Sequence, residues 1–169
     1  MSVSTVYLGL GSNIEREDNL RAGLDALAGI LEGMRCSAVF ESAAVGIKSG
    51  PFYNLVVTGK TRLPLMELDR RLKFIEAENG RYAPDRKGLP LDIDVLMYDD
   101  LHGTFDGLVL PRAEILKNAF VLRPLALIAP DLVHPGEAKP MGQVWQEARI
   151  DQEVIPVPFE WRGLQLTRI

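Results

Sequence analysis

Cysteine and histidine are scarce in this sequence and positive charge is not in excess, and each shortage removes a class of function. Cys36 is the single cysteine among 169 residues, so no intrachain disulfide can form and a thiolate metal cage is excluded. A chain built this way is expected in the cytoplasm, where disulfides are rare. The two histidines, His102 and His134, lie far apart and neither stands at a metal-ligand spacing. Lys and Arg number 19 against 23 Asp and Glu, a net charge of -4, which argues against a broad basic surface for nucleic acid. No apolar run approaches the roughly 20 residues that span a bilayer, so no membrane partner is expected. The opening MSVSTVYLGLGSN lacks the basic n-region of a secretory signal.

What is present fits one soluble domain over residues 1–169: 47% of residues are hydrophobic and 25% charged, with no repeat, low-complexity tract or long linker. Val6, Leu8 and Leu10 alternate with Tyr7 and Gly9, which predicts a half-buried strand ending in a tight turn, Gly9-Leu10-Gly11-Ser12-Asn13. Leu20, Leu24, Leu27 and Leu31 mark one face of a helix. Residues 35–42 and Leu55-Val56-Val57-Thr58 read as strands, and Leu65, Leu68, Leu72 and Ile75 as a second helix stopped at Asn79-Gly80. A loop over 82–90 precedes a strand from Leu91 to Tyr98. A helical turn follows Pro111, then a helix from about Ala119 with Pro124 in its first turn. Val154, Pro156 and Pro158 suggest an edge strand or a surface arm. The order β-α-β-β-α-β, then helices, is the ferredoxin-like split pattern: an α+β fold with two helices on one face of an antiparallel sheet. The other face would be left for a ligand and the C-terminal helices.

The sharpest local feature is Leu91-Asp92-Ile93-Asp94-Val95. Side chains two apart on a strand share a face, so Leu91, Ile93, Val95 and Met97 should turn to the core, with Asp92 and Asp94 together opposite. Two carboxylates about 7 Å apart repel unless something positive lies between them. Magnesium takes a few carboxylate oxygens plus waters and phosphates, so the pair suits a site that neutralises and orients a polyphosphate. An Asp-x-Asp alone is also common on exposed strands. The Gly9–Asn13 turn could offer backbone N–H groups to a phosphate, or simply cap a helix through Ser12 or Asn13. Phe52, Tyr53 and Asn54 follow a Gly/Pro loop, where a ring and an amide could recognise a flat heterocycle. Arg81, Arg86 and Lys87 flank the acid pair, and Arg112, Lys117 and Arg123 follow it; phosphoryl chemistry needs such cations near its leaving and bridging oxygens.

Taken together, and in this order, several segments resemble the hydroxymethyldihydropterin pyrophosphokinases from about Val6 to Pro135. They are Tyr7-Leu8-Gly9-Leu10-Gly11-Ser12-Asn13, Phe52-Tyr53-Asn54, Glu76, Gly80-Arg81, Leu91-Asp92-Ile93-Asp94-Val95, Phe120-Val121-Leu122-Arg123-Pro124-Leu125 and the run Ile128 to Pro135. The resemblance implies transfer of pyrophosphate from ATP, the co-substrate, to the hydroxymethyl group of a reduced pterin, with AMP leaving. It implies that Asp92 and Asp94 are the ligands of two magnesium ions. Asn54 would read the pterin edge, Phe120 and Phe52 would supply rings, and Ser42, Ala43 and Val45 would wall the pocket. Lys73, Glu76, Arg112 and Lys117 would meet the nucleotide. Arg81 would open a mobile loop, carrying Arg86 and Lys87, that closes over the reaction. A monomer or weak homodimer is expected.

Three positions depart from the family pattern. Leu89 stands where the family has an arginine three before the first aspartate, Arg112 replaces a histidine, and Asn118 replaces an arginine two before Phe120. The lost arginines leave open a second reading, a non-catalytic pterin- or nucleotide-binding protein on the same fold. A third is a kinase acting on another small alcohol.

Overall fold

The structure, a computed structural model, describes residues 2–43, 50–83 and 88–167. Its frame is set by β1 (Ser4–Ser12), α1 (Arg16–Ala28), β2 (Glu32–Cys36), β3 (Val39–Ser42), β4 (Phe52–Thr61), α2 (Leu65–Glu78) and β5 (Asp92–Tyr98). The remaining elements are β6 (Gly103–Phe105), β7 (Leu108–Leu110), α3 (Glu114–Lys117), α4 (Ala119–Ile128), β8 (Val133–His134), β9 (Lys139–Pro140), α5 (Met141–Glu147), β10 (Ile155–Val157), β11 (Glu160–Trp161) and β12 (Leu164–Gln165). Neighbouring strands run antiparallel in the order β10-β3-β4-β1-β5, and β2 also pairs with β4. This is the split β-α-β order expected from the sequence, extended at one edge by β10.

Two cores share the sheet. On one face Leu20, Leu24 and Leu27 of α1 and Leu68, Leu72 and Ile75 of α2 pack on Val6, Leu8, Leu10, Leu55, Val57, Ile93 and Val95. Phe159 and Trp161 from the C-terminal arm close the same core. On the other face Tyr7, Val56, Leu96 and Met97 meet Ile115, Leu122, Leu125, Met141 and Val144. Met97 therefore departs from the odd-numbered set expected to face the helical pair. The reason is a bulge: the register steps from Tyr7↔Met97 to Leu8↔Val95, so Leu96 and Met97 together oppose one residue and both turn to the second core.

Other boundaries also shift. β1 runs straight through Ser12, so Gly9 to Ser12 are strand and not turn. α1 stops at Ala28 and Leu31 packs from beyond its end. The strand expected over 35–42 breaks at Ser37, whose Oγ accepts from Val56 N at 2.9 Å and donates to Ala38 O at 2.8 Å. α2 ends as expected, with Gly80 at φ 82, a left-handed conformation that glycine adopts without strain. α4 starts at Ala119 as expected, and counting from there puts Pro124 inside the helix beyond its first turn. The hairpin β6–β7, the β8–β9 pair and α5 were not expected from the sequence.

Candidate active site

The site is a row of side chains carried across three strands. Gly11 of β1 pairs with Asn54 of β4 and with Asp92 of β5, while Gly9 pairs with Val56 and Asp94. Strand alternation places Asp92, Asp94, Gly9, Gly11 and Asn54 on the face shared with α3, α4 and α5. The two glycines leave the floor between carboxylates and amide free of side chains. A Cβ at Gly11 would stand 3.0 Å from Asn54 Oδ1, and one at Gly9 would stand 3.3 Å from Leu96 Cδ2. These residues, with Arg81, Arg112, Glu114, Asn118, Phe120 and Val121, line a cavity of about 320 Å³. The Gly9–Gly11 motif thus acts by omission rather than as a phosphate-cradling turn.

Each aspartate faces an arginine. Arg81 Nη1 stands 2.8 Å from Asp92 Oδ1 and 3.1 Å from Glu76 Oε2, and it also donates to Leu91 O at 3.1 Å. Glu76 is buried on α2. Its carboxylate accepts from Ile93 N at 2.8 Å and from the Tyr82 hydroxyl at 3.1 Å as well. Burial pushes the Glu76 carboxyl above its ordinary value, against the lowering pull of the Ile93 N–H and Arg81. Burial opposes the charge on Arg81, yet the Asp92 hydrogen bond and the Asp92 and Glu76 charges outweigh it and hold its value up. Glu76 does not line the cavity; it anchors Arg81 and ties α2 to β5.

Arg112 follows the Leu110-Pro111 cis peptide and its N–H donates to Leu96 O at 2.9 Å, which brings it over the strand. Its Nη2 lies 3.3 Å from Asp94 Oδ1, and its Nε lies 3.1 Å from Glu114 Oε2. The second contact is an ion pair without hydrogen-bond alignment, so the buried Nε lacks a hydrogen-bond partner among the described residues. Burial first, then the Asp92 charge, pushes the Asp94 carboxyl up to about 7, with Arg112 pulling the other way. A cation between the two carboxylates would relieve both causes. No cluster of three or more His, Cys, Asp or Glu suited to a metal occurs among the described residues. Two carboxylates beside room for a polyphosphate fit magnesium, which keeps waters and substrate oxygens as its other ligands.

Phe120 separates this cavity from a second, about 370 Å³, lined by Glu41, Ser42, Ala43, Pro51, Asp151, Gln152, Glu153 and Ile155. Asn54 Nδ2 donates to Ser42 Oγ at 2.8 Å, so Ser42 fixes the amide. Lys73 lies on exposed α2 surface, pairs with Asp69 at 3.0 Å, and lines a third cavity with Asp94 and Arg112. Phe52 is half-buried outside the cavity lining and Lys117 is exposed on α3. Arg123 stacks on Trp145 at 5.3 Å, away from the acids. Val45, Arg86 and Lys87 lie outside the described residues. Sequence reasoning missed Glu114, Tyr82 and Gln152. It also missed Arg16, which pairs with Glu41 at 2.8 Å and stacks on Tyr53 at 3.8 Å. Glu114 and Tyr82 are partners of Arg112 and Glu76, and none of the four has a signature of its own; only the Gly-x-Gly spacing on a strand could have announced the open floor.

The model of the 7,8-dihydro-6-hydroxymethylpterin-pyrophosphokinase family matches residues 7–130. The chain is 37% identical over 144 residues to the 2-amino-4-hydroxy-6-hydroxymethyldihydropteridine pyrophosphokinase of Aquifex aeolicus, covering 83% of this chain and 90% of that one. It is 31% identical over 165 residues to the folic acid synthesis protein fol1 of Pneumocystis carinii, but spans only 22% of that longer protein. A solved Plasmodium falciparum HPPK-DHPS shares the fold, with TM-score 0.70 at 13% identity over 86% of this chain and 43% of that one. With the family model matched across the strands and helices that build the cavity, the chain belongs to the 7,8-dihydro-6-hydroxymethylpterin-pyrophosphokinase family.

Proposed function

We propose that this protein, acting over residues 1–169 as one pyrophosphokinase-like unit, transfers pyrophosphate from ATP to the hydroxymethyl group of 6-hydroxymethyl-7,8-dihydropterin and releases AMP. The observation that carries the reading is the pair Asp92 and Asp94, side by side in one cavity and opposed by Arg81 and Arg112. Asp92 and Asp94 would hold two magnesium ions, which when bound neutralise the polyphosphate and favour in-line displacement.

The chain's own residues do the rest. Asn54, fixed by Ser42, reads the pterin edge, and Phe120 offers its ring. Ser42 and Ala43, which line the second cavity, would wall the pterin side, and Val45 and Phe52 are assigned to the same pocket by the family resemblance alone. The nucleotide extends toward Arg112 and Lys73, which share the third cavity with Asp94. Lys117 adds charge at its margin, and Glu76 serves the nucleotide through Arg81. Arg81 and Arg112 neutralise the carboxylates in the free protein and can turn to phosphate oxygens when substrate arrives. Arg112 lines the cavity with its Nη2 3.3 Å from Asp94 Oδ1, while its Nε stays in the ion pair with Glu114. Arg86 and Lys87 are further cations for the bond that breaks. A monomer or weak homodimer would carry this site, and no helix among the described residues is long and apolar enough to cross a membrane. Incubation with magnesium, ATP and the reduced hydroxymethylpterin should yield AMP. ADP as the product, or binding without turnover, would overturn this in favour of another kinase or a binding module.

A further inference from the structure

We propose that Gln152, from the arm beyond the family-matched residues, is a positioning residue that sets which way the Asn118 amide faces in the substrate cavity. The geometry is a closed chain of three groups. α4 begins without a side-chain cap, because its N-cap Asn118 makes no such bond. Gln152 Oε1 instead accepts from the first helical N–H, that of Ala119, at 2.8 Å. Gln152 Nε2 in turn donates to Asn118 Oδ1 at 3.0 Å.

The direction of both amides follows from chemistry alone. A backbone N–H only donates, so the oxygen of Gln152 must face Ala119 and its NH₂ must face Asn118. Asn118 must then offer its oxygen to Gln152, which leaves its own NH₂ with no partner among the described residues. Asn118 lines the cavity that holds Asp92, Asp94, Arg81 and Arg112. The free NH₂ is therefore a donor available to an acceptor oxygen or nitrogen of either substrate, a phosphate oxygen or the pterin edge.

The arm that delivers Gln152 is fixed on both sides. Ile150 packs against the second core, and β10 pairs with β3 through Ile155↔Glu41, Pro156↔Phe40 and Val157↔Val39. Gln152 also lines the second cavity, on the far side of Phe120, so it braces the start of the helix that carries that ring. A residue braced in this way acts through its neighbour and need not touch the substrate.

Gln152→Glu separates positioning from helix capping. A carboxylate still accepts from Ala119 N and favours a helix N-terminus, but it cannot donate to Asn118. The Asn118 amide must then turn over to donate to the carboxylate, which points its oxygen at the cavity. The proposal rests on the reading of that cavity as the substrate site. Affinity is measured by calorimetry with an ATP analogue that cannot react, α,β-methylene-ATP with magnesium, and with the reduced hydroxymethylpterin in its presence. Because no turnover is needed, failure of pyrophosphoryl transfer leaves this test intact.

Gln152→Glu should melt no lower than the wild type yet bind at least one of the two ligands about tenfold more weakly. Loss confined to the analogue identifies a phosphate as the partner of Asn118, and loss confined to the pterin identifies the heterocycle. Adding Asn118→Ala to Gln152→Glu should cause no further loss. Wild-type affinity for both ligands in Gln152→Glu, or equal additional loss from Asn118→Ala in the two backgrounds, would overturn the proposal.

Discussion

Replacing Asp94 by Asn should stabilise the metal-free protein at alkaline pH and leave it unchanged at acid pH. The Asp94 carboxyl is held up at about 7 against an ordinary 3.8, so the folded state keeps its proton where the unfolded state has released it. The sign follows directly. Below 3.8 both states are protonated and the group costs nothing. As pH rises from there toward 7 the unfolded chain ionises first and stability falls, and above 7 the full cost remains. A displacement of that size corresponds to about 4 kcal/mol as an upper limit. The side chain is 31% exposed and Arg112 stands 3.3 Å away, so solvent screening reduces the cost to about 1–2 kcal/mol. For a chain of this length that is a rise of about 2–8 °C in the Tm of Asp94→Asn at pH 8 in EDTA. Magnesium should raise the wild-type Tm at pH 8 more than at pH 5, and should do little to the variant. Asp94→Asn that melts at or below the wild type at pH 8, with magnesium acting equally on both, would refute the account of a buried Asp94 carboxylate whose charge costs the metal-free fold stability.

Other outcomes follow from the same geometry. Asn54→Ala should weaken pterin binding by about 1–3 kcal/mol and leave nucleotide binding nearly intact, as calorimetry would show, since only the amide fixed by Ser42 is lost. Glu76→Ala should destabilise the fold by about 3 kcal/mol in a denaturant titration, because the Ile93 N–H loses its acceptor and Arg81 loses its buried partner. Arg112→Ala should lower kcat about a hundred- to a thousandfold with little change in nucleotide affinity, measured by AMP release under saturating substrate.

Much of the fold was legible because its signals are periodic. Leu20, Leu24 and Leu27 and then Leu68, Leu72 and Ile75 repeat with the helix, and Val6, Leu8 and Leu10 with the strand, so both faces of the first core could be read directly. The errors fall where period is interrupted by geometry. Nothing in Val95-Leu96-Met97 announces that two residues will oppose Tyr7, and a one-residue bulge sends Met97 to the other core. Gly9 and Gly11 looked like turn residues because glycine is common in turns, whereas here its lack of a side chain is the useful property. The short pairs β6–β7 and β8–β9 carry too few residues to show a period at all.

The site divides in the same way. Asp92 and Asp94 were legible because a strand forces residues two apart onto one face, so their joint action is a local property of the sequence. Arg81 and Arg112 were recognisable as cations but not as partners of particular acids, since those pairings depend on where α2 ends and how the chain turns after Pro111. Gln152 could not be found at all: it acts on Asn118 across 34 positions, through an amide whose direction is dictated by one backbone N–H. Reactive groups in this protein declare themselves by type and spacing. The groups that aim them are ordinary residues made specific only by the closed fold. The three departures from the family pattern therefore have to be judged by what now surrounds them. Leu89 N donates to the Asn13 side-chain Oδ1 at 2.6 Å and Leu89 O accepts from Asn13 N at 3.1 Å, Arg112 pairs with Asp94 and Glu114 at the cavity, and Asn118 is oriented by the C-terminal arm.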